Sequence, residues 1–328
     1  MTPEAIAKWT RFATDSPLYV HLAGVIAGDA ELMRVLDDIV NPPPINILFG
    51  AVHMLLAREP GDPLAAYYPD LTSEARPIDD DLGGEFRRFV LEHEGAIAAI
   101  GASRYTQTNE VRRAVALLPA VWMTGLDRFH LVEIGASAGL HLALDRYRYR
   151  WGAVEWGDSR LLLETESRGL DPRPRPVEIG RRIGLDINPL DPGDPDDRAW
   201  LEALLWPEAP ERRERLRVAL GIAAETDIEM VPGDALATLP EVLDSLPPGE
   251  PVVLMDSFTL YQFTVAQLEA LDRLVAAARS RRPVHRVSLG VVPDRGDAAA
   301  LAVDDGSGWK LIGYAQHHGR WLDLYVLP

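Results

Sequence analysis

The stretch Leu131-Val132-Glu133-Ile134-Gly135-Ala136-Ser137-Ala138-Gly139-Leu140 governs how this chain is read. An apolar, β-branched run leads into a turn of small residues, and a helical stretch then continues through Asp145 to about Tyr147. Small residues at such a turn let a ligand approach the backbone, and the helix that follows presents unpaired amide donors at its start. A dinucleotide site wants glycine at the first, third and sixth turn positions. Those positions hold Gly135, Ser137 and Leu140, so that pattern fails twice. A second pattern wants an acidic residue two before the first glycine and small residues at positions one, three and five. Glu133, Gly135, Ser137 and Gly139 meet it throughout, with Ala136 between them. The same five turn residues also spell Gly-x-Ser-x-Gly, the nucleophile elbow of serine hydrolases. A tight strand-to-helix turn with no ligand is the plain structural alternative.

Working outward, every periodic segment before about His130 reads as helix. Asp15-Ser16-Pro17 pairs a capping side chain with a proline that needs no amide hydrogen, and so opens a helix over Leu18 to Ala27. Asp29 opens Ala30 to Val40, which Asn41-Pro42-Pro43-Pro44 stops. Ile45 to Arg58 is apolar almost all round and predicts a buried helix; Gly84 to Ile100 and Glu110 to Met123 are amphipathic. From Phe129 the rhythm changes to short β-branched runs separated by helices, the pattern of a parallel sheet with crossovers. Strands are predicted at His130 to Ile134, Arg182 to Ile187, Ile228 to Val231, Pro251 to Met255 and His285 to Val292, with a helix at Val265 to Arg279. Trp309 to Ala315 and Arg320 to Leu327 read as an antiparallel hairpin. The expectation is an α/β chain with an all-helical part over 1–125 and a sheet domain over 126–328.

Composition bounds the chemistry. With 328 residues, 47% of them hydrophobic, the chain can bury a sizeable core without staples. It has no cysteine, which excludes a thiol nucleophile, zinc-thiolate sites and disulfides. A net charge of −17 repels polyanions, so no nucleic-acid partner is expected. Arg212, Arg213, Arg215 and Arg217 alternate with Glu211 and Glu214, as a solvated helix face does. No apolar run approaches the roughly 20 residues of a membrane span, and the first residues lack a signal-peptide pattern. A cytoplasmic location and no membrane partner are therefore expected. His317-His318 and Asp304-Asp305 read as solvated turns, and no metal site is expected.

A nucleoside cofactor needs a carboxylate at the end of the second parallel strand to accept from the ribose hydroxyls. Gly184-Leu185-Asp186-Ile187 supplies Asp186, with Asn188-Pro189 stopping the strand directly after it; Glu164 is the rival at a shorter spacing. Val231-Pro232-Gly233-Asp234-Ala235 resembles the segment in which an aspartate and the next amide meet an adenine ring, although Asp234 equally suits a helix N-cap. Asp256 and Tyr261 follow the fourth strand. Together with the glycine turn, these segments resemble class I S-adenosylmethionine-dependent methyltransferases. The resemblance implies a Rossmann-like methyltransferase sheet and S-adenosylmethionine as cofactor, held by Glu133, Gly135, Ala136, Ser137, Gly139, Asp186, Asp234, Ala235 and Asp256. The Asn/Asp-Pro-Pro-Tyr motif of amide and amino-base methyltransferases is absent.

Over nearly its whole length the chain also resembles a bacterial family known as domain of unknown function 2332. The matching segments are Asn41-Pro42-Pro43-Pro44 through Ala51 to Leu56, Tyr105 to Val111, Glu133 to Tyr147, Arg182 to Pro189 and Trp200 to Pro207. His141 departs from the asparagine expected there. Methyl transfer requires an acceptor to be positioned and, where necessary, deprotonated. His53, Gln107, Asn109, Glu110 and Tyr261 are the candidates for that work. A buried structural histidine at 53 and a helix cap at Asn109-Glu110 are the competing readings. The expected arrangement is a helical part capping the sheet domain, with a small-molecule acceptor between them; oligomeric state is not legible. The alternatives are a non-catalytic nucleoside-ligand-binding or assembly protein of the same fold and, third, a serine hydrolase using Ser137.

Overall fold

A computed structural model of the chain describes residues 1–11, 13–293 and 295–326. It divides into two compact units, the first made of residues 1–108 and 194–217 and the second of 109–193 and 218–328. The division thus falls after Thr108 rather than after residue 125, and a later segment returns to the helical unit.

The first unit contains helices α1 (Pro3–Trp9), α2 (Pro17–Gly28), α3 (Ala30–Asp37), α4 (Pro44–Arg58), α5 (Leu82–Glu92) and α6 (Glu94–Ser103). The caps act as their residue types dictate: Ser16 accepts from the Tyr19 amide, and Asp29 from those of Glu31 and Leu32. Helix α4 is its axis, buried from Ile47 to Leu56. Its Gly50 is required because a Cβ there would lie 3.0 Å from the indole of Trp200. The helix expected over Gly84 to Ile100 is instead two, broken at His93, whose ring nitrogen Nδ1 bonds the Phe89 carbonyl at 2.9 Å.

Helix α7 (Ala114–Met123) belongs to the second unit, α8 (Pro195–Ala203) to the first, and α9 (Pro210–Ala224) to both in turn. Among the described residues, the second unit is built on one mixed sheet of eleven strands in the order β3-β2-β4-β11-β10-β9-β8-β7-β1-β5-β6. Five of them, β1 (Arg128–Ile134), β5 (Glu178–Asp186), β6 (Glu229–Pro232), β7 (Val252–Ser257) and β8 (Val284–Val291), are parallel. Strands β8, β9 (Ala298–Asp304), β10 (Trp309–Gln316) and β11 (Trp321–Leu324) then run antiparallel, each to the next. Of the expected last strand, Leu327 lies outside the described residues. Helices α10 (Ala235–Ser245) and α11 (Val265–Arg279) bury Leu239, Leu243, Leu271 and Val275 against Val132, Ile134, Leu185 and Leu254 on one sheet face.

The connection from β1 to β5 is longer than a plain crossover and is built mostly of strands. After the glycine turn comes a 3-10 stretch, Leu140–Arg146, irregular at Ala143, and then three strands. These are β2 (Arg148–Trp151), β3 (Val154–Trp156) and β4 (Leu162–Ser167), which extend the far end of the sheet. Arg148-Tyr149-Arg150-Trp151 alternates between half-buried and buried side chains, a strand period continuing straight out of the helical stretch.

Candidate cofactor-binding turn

Strand β1 delivers its last residues to the middle of the parallel strands, with Ile134 opposite Leu185 of β5 and Asp256 of β7. The chain then turns through three left-handed residues, Gly135 (φ +75°), Ser137 (φ +52°) and Gly139 (φ +72°). Gly135 is doubly required: beyond its φ, a Cβ there would lie 2.1 Å from the Thr259 hydroxyl oxygen. Ser137 adopts this conformation without glycine's freedom, and its neighbours hold it there. Its amide donates to Asp186 Oδ2 at 2.8 Å, its carbonyl accepts from the Leu190 amide at 3.0 Å, and its hydroxyl accepts from Asn109 Nδ2 at 2.7 Å. Ala136 rests on β5, where a Cβ on Gly184 would come within 2.7 Å of its own.

Glu133 is 1% exposed, and its partner is the histidine at position 141. His141 Nδ1 lies 2.9 Å from Glu133 Oε1, and its Nε2 lies 3.2 Å from the Glu110 carbonyl oxygen. Burial pushes the Glu133 carboxyl above the usual range, with the His141 ring opposing it. Glu133 Oε2 is buried without a partner. The residue that departs from the expected asparagine therefore ties the acidic position of the turn to the Asn109-Glu110 segment. Glu110 itself caps the 3-10 turn Val111–Arg113 by accepting from the Arg112 amide.

The other acidic positions divide by face. Asp186, at the end of β5, accepts from the Ser137 and Asn188 amides, both at 2.8 Å. Its rival Glu164 lies on β4, exposed and paired with Arg150. Asp234 caps α10 by accepting from the Leu236 amide at 2.8 Å, and Ala235 is buried as the first residue of that helix. The Gly233 amide bonds the Asp186 carbonyl at 2.9 Å, so the segments after β5 and β6 meet. Asp256 lies in register with Ile134 and shares with it a small cavity lined also by Leu260 and Leu271, on the α11 side of the sheet. Burial raises its carboxyl to about 7 against the Ser288 hydroxyl, the Leu260 amide and Arg286, and its Oδ2 has no partner. Glu133, one residue out of that register, faces the opposite side. Tyr261 is 61% exposed in the 3-10 turn Leu260–Gln262.

The family model described as "uncharacterized protein conserved in bacteria", domain of unknown function 2332, matches residues 4–324. The chain belongs to that family. The match spans both units and every candidate residue named above. Among curated proteins, none matches the chain.

Within the domain of unknown function 2332 chain, His53 and Gln107 fall in the first unit, whereas Asn109 and Glu110 open the second. His53 is fully buried. Its Nδ1 lies 3.1 Å from the Ala203 carbonyl, and its Nε2 lies 2.8 Å from Arg213 Nη2. Both ring nitrogens therefore have partners. Asp70, 3.0 Å from the same Nε2, is ion-paired with Arg213. That accounts for His53 as the hydrogen-bonded core histidine that an apolar helix favours. The sequence gives Arg113 and His317 no part in a methyl-transfer site. Arg113 lacks any motif, and His317 looks like half of a solvated turn until its surroundings are known. Among the described residues, no His, Cys, Asp or Glu group of three or more could hold a metal ion. No helix among them is long and apolar enough to cross a membrane.

Proposed function

We propose that this protein is an S-adenosylmethionine-dependent methyltransferase acting on a small molecule. The observation that carries the reading is the glycine turn led by Glu133, whose buried Oε2 has no partner, beside Asp186 at the end of the adjacent strand. An unpartnered buried carboxylate oxygen suits a ligand that brings donors or positive charge, as this cofactor does. The parallel strands run β6-β5-β1-β7-β8, which in chain order is 3-2-1-4-5, the doubly wound order. Such sheets bind ligands beyond the carboxyl ends of the strands where the order reverses, between the segments after β1 and β7. In this reading Glu133, Gly135, Ala136, Ser137, Gly139, Asp186, Asp234 and Ala235 hold the cofactor, which supplies an activated methyl group. Asp256 lies on the opposite sheet face from Glu133 and supports the end of β7. Mass-action stabilisation supplies the test: S-adenosylhomocysteine should raise the melting temperature, and NAD and NADP should not. A shift with NAD alone would remove this cofactor from consideration.

A serine hydrolase is favoured by one observation, the left-handed Ser137 directly after a central strand. Its hydroxyl, however, is bonded to Asn109, and both nitrogens of His141 are bonded elsewhere. Among the described residues, no imidazole nitrogen is hydrogen-bonded to the Ser137 hydroxyl. A fluorophosphonate probe should leave Ser137 unlabelled; labelling abolished by Ser137→Ala would reverse the order of the two readings.

A further inference from the structure

Directly after β7, Phe258 adopts φ +55°, a conformation that bulky L-residues rarely take. Its amide bonds the Leu289 carbonyl at 2.8 Å. Its ring carries the Arg113 guanidinium 4.0 Å from the centroid and meets the His317 imidazole edge-on, with centroids 5.0 Å apart. The turn bearing His317, between β10 and β11, is fixed from the same side. Arg113 Nε donates to the His317 carbonyl at 2.9 Å, and Arg112 Nε to the His318 carbonyl at 2.7 Å. Gly319 lies so close to the Arg112 carbonyl that a Cβ would be 2.5 Å from its oxygen. Three segments remote in sequence thus converge on one imidazole.

The state of that ring is also specified. Its backbone-directed hydrogen bond goes to the Ala298 carbonyl while Nε2 is buried without a partner, so the proton sits on Nδ1 and the Nε2 lone pair stays basic. Burial holds the ring below the usual histidine value, with the Arg113 charge adding to this and the Ala298 carbonyl and Asp297 opposing it. Beside it, His318 Nδ1 lies 3.7 Å from Glu110 Oε2. Phe258 is followed by Thr259, whose hydroxyl packs against Gly135, and Glu110, beside His318, is bonded through its carbonyl to His141, so the ring lies in the surroundings of the glycine turn.

From this geometry we infer that His317 is the general base of the site, taking the acceptor's proton on Nε2. The inference rests on the methyltransferase reading and adds the acceptor side to it. As the acceptor's heteroatom forms its bond to the methyl carbon, the carbon–sulfur bond breaks with its electron pair left on sulfur. The heteroatom's proton then passes to His317 Nε2. Arg113 and Phe258 are positioning residues: they hold the ring and its tautomer. The acceptor class is a small molecule whose hydroxyl or amine must lose a proton on methylation.

The test needs no acceptor. S-adenosylmethionine and S-adenosylhomocysteine differ by a methyl group and one positive charge at the reacting sulfur. A unit charge within roughly 10 Å of a half-buried group moves its titration midpoint by about one pH unit. In the full-length protein labelled at histidine carbons, NMR titration should show the His317 signal, assigned with His317→Gln, titrating about one pH unit lower with S-adenosylmethionine than with S-adenosylhomocysteine. His130 and His285, toward the opposite ends of their strands, should not move. If both ligands bind and His317 titrates identically in the two complexes, or shifts no more than His285, the inference is overturned and the cofactor assignment stands. If neither ligand binds, the methyltransferase reading fails and the inference falls with it.

Discussion

Two buried carboxylates, one in each unit, sit against a histidine, and they are built differently. In the helical unit, Asp70 shares its Oδ2 between His53 and the Arg213 guanidinium, a permanent cation. In the sheet unit, Glu133 has His141 alone within hydrogen-bonding distance and keeps Oε2 without a partner. A carboxylate neutralised by a fixed arginine already has its cation. Each of the two keeps one buried oxygen without a partner, Asp70 Oδ1 and Glu133 Oε2, so the difference lies in the cation: a carboxylate held only by a titratable ring is costly unless something else arrives. A histidine beside a carboxylate does not mark a site by itself; what distinguishes the two places is whether the negative charge already has its cation.

The largest expected effect is the sharpest way to break that comparison. Arg213→Ala leaves Asp70 buried without its cation and should cost about 3–5 kcal/mol in chemical denaturation. The pair Arg213→Met with Asp70→Leu should recover most of the loss, since apolar replacement of both partners is near neutral. If Arg213→Ala costs under about 1 kcal/mol, the arginine is not what completes that cluster.

Asp256 gives the next effect, through pH. Its folded carboxyl ionises near 7 against an ordinary 3.8, so between those values the folded state holds a proton that the unfolded state has lost. Stability from this group is therefore full below about 4 and falls as pH rises towards 7. Asp256→Asn should flatten that part of the stability profile by on the order of a few kcal/mol. Parallel wild-type and variant profiles would contradict the assignment.

Smaller effects belong to the ligand side. Asp186→Ala should weaken S-adenosylhomocysteine by about 1.5–3 kcal/mol, the range for hydrogen bonds to a charged group. Glu133→Gln should weaken it by about 1 kcal/mol while changing stability at pH 7 by less than about 1 kcal/mol. Glu164→Ala, on the distant β4, should change neither; a large loss there would transfer the ribose role to it.

Much of the fold is legible because its signals are local. Ser16-Pro17 and Asp29 start helices, Val265 to Arg279 is the helix its period predicts, and the five parallel strands fall within a few residues of their apolar runs. The sequence reading misses what depends on partners. Strand β2 is hidden because its alternation, Tyr147 to Trp151, follows without a break from the helical stretch after the glycine turn, and β3 and β4 depend on pairing with it. Strand β9 is hidden because Ala298-Ala299-Ala300 carries almost no β signal until β8 and β10 flank it. At the candidate site, the turn and Asp186 follow from spacing. His141, Arg113 and His317 acquire meaning only from neighbours as far as 204 positions away, as in the Arg113–His317 bond.

The central claim, a nucleoside-sulfonium cofactor at Glu133 to Gly139, is tested most directly by calorimetric titration of the wild-type protein and Asp186→Ala with S-adenosylmethionine and S-adenosylhomocysteine. The account predicts saturable one-site binding of both ligands to the wild type, weakened roughly 10- to 150-fold in Asp186→Ala without loss of fold, the fold-change that corresponds to the range above. No binding of either ligand, or equal affinity in wild type and Asp186→Ala, would contradict it.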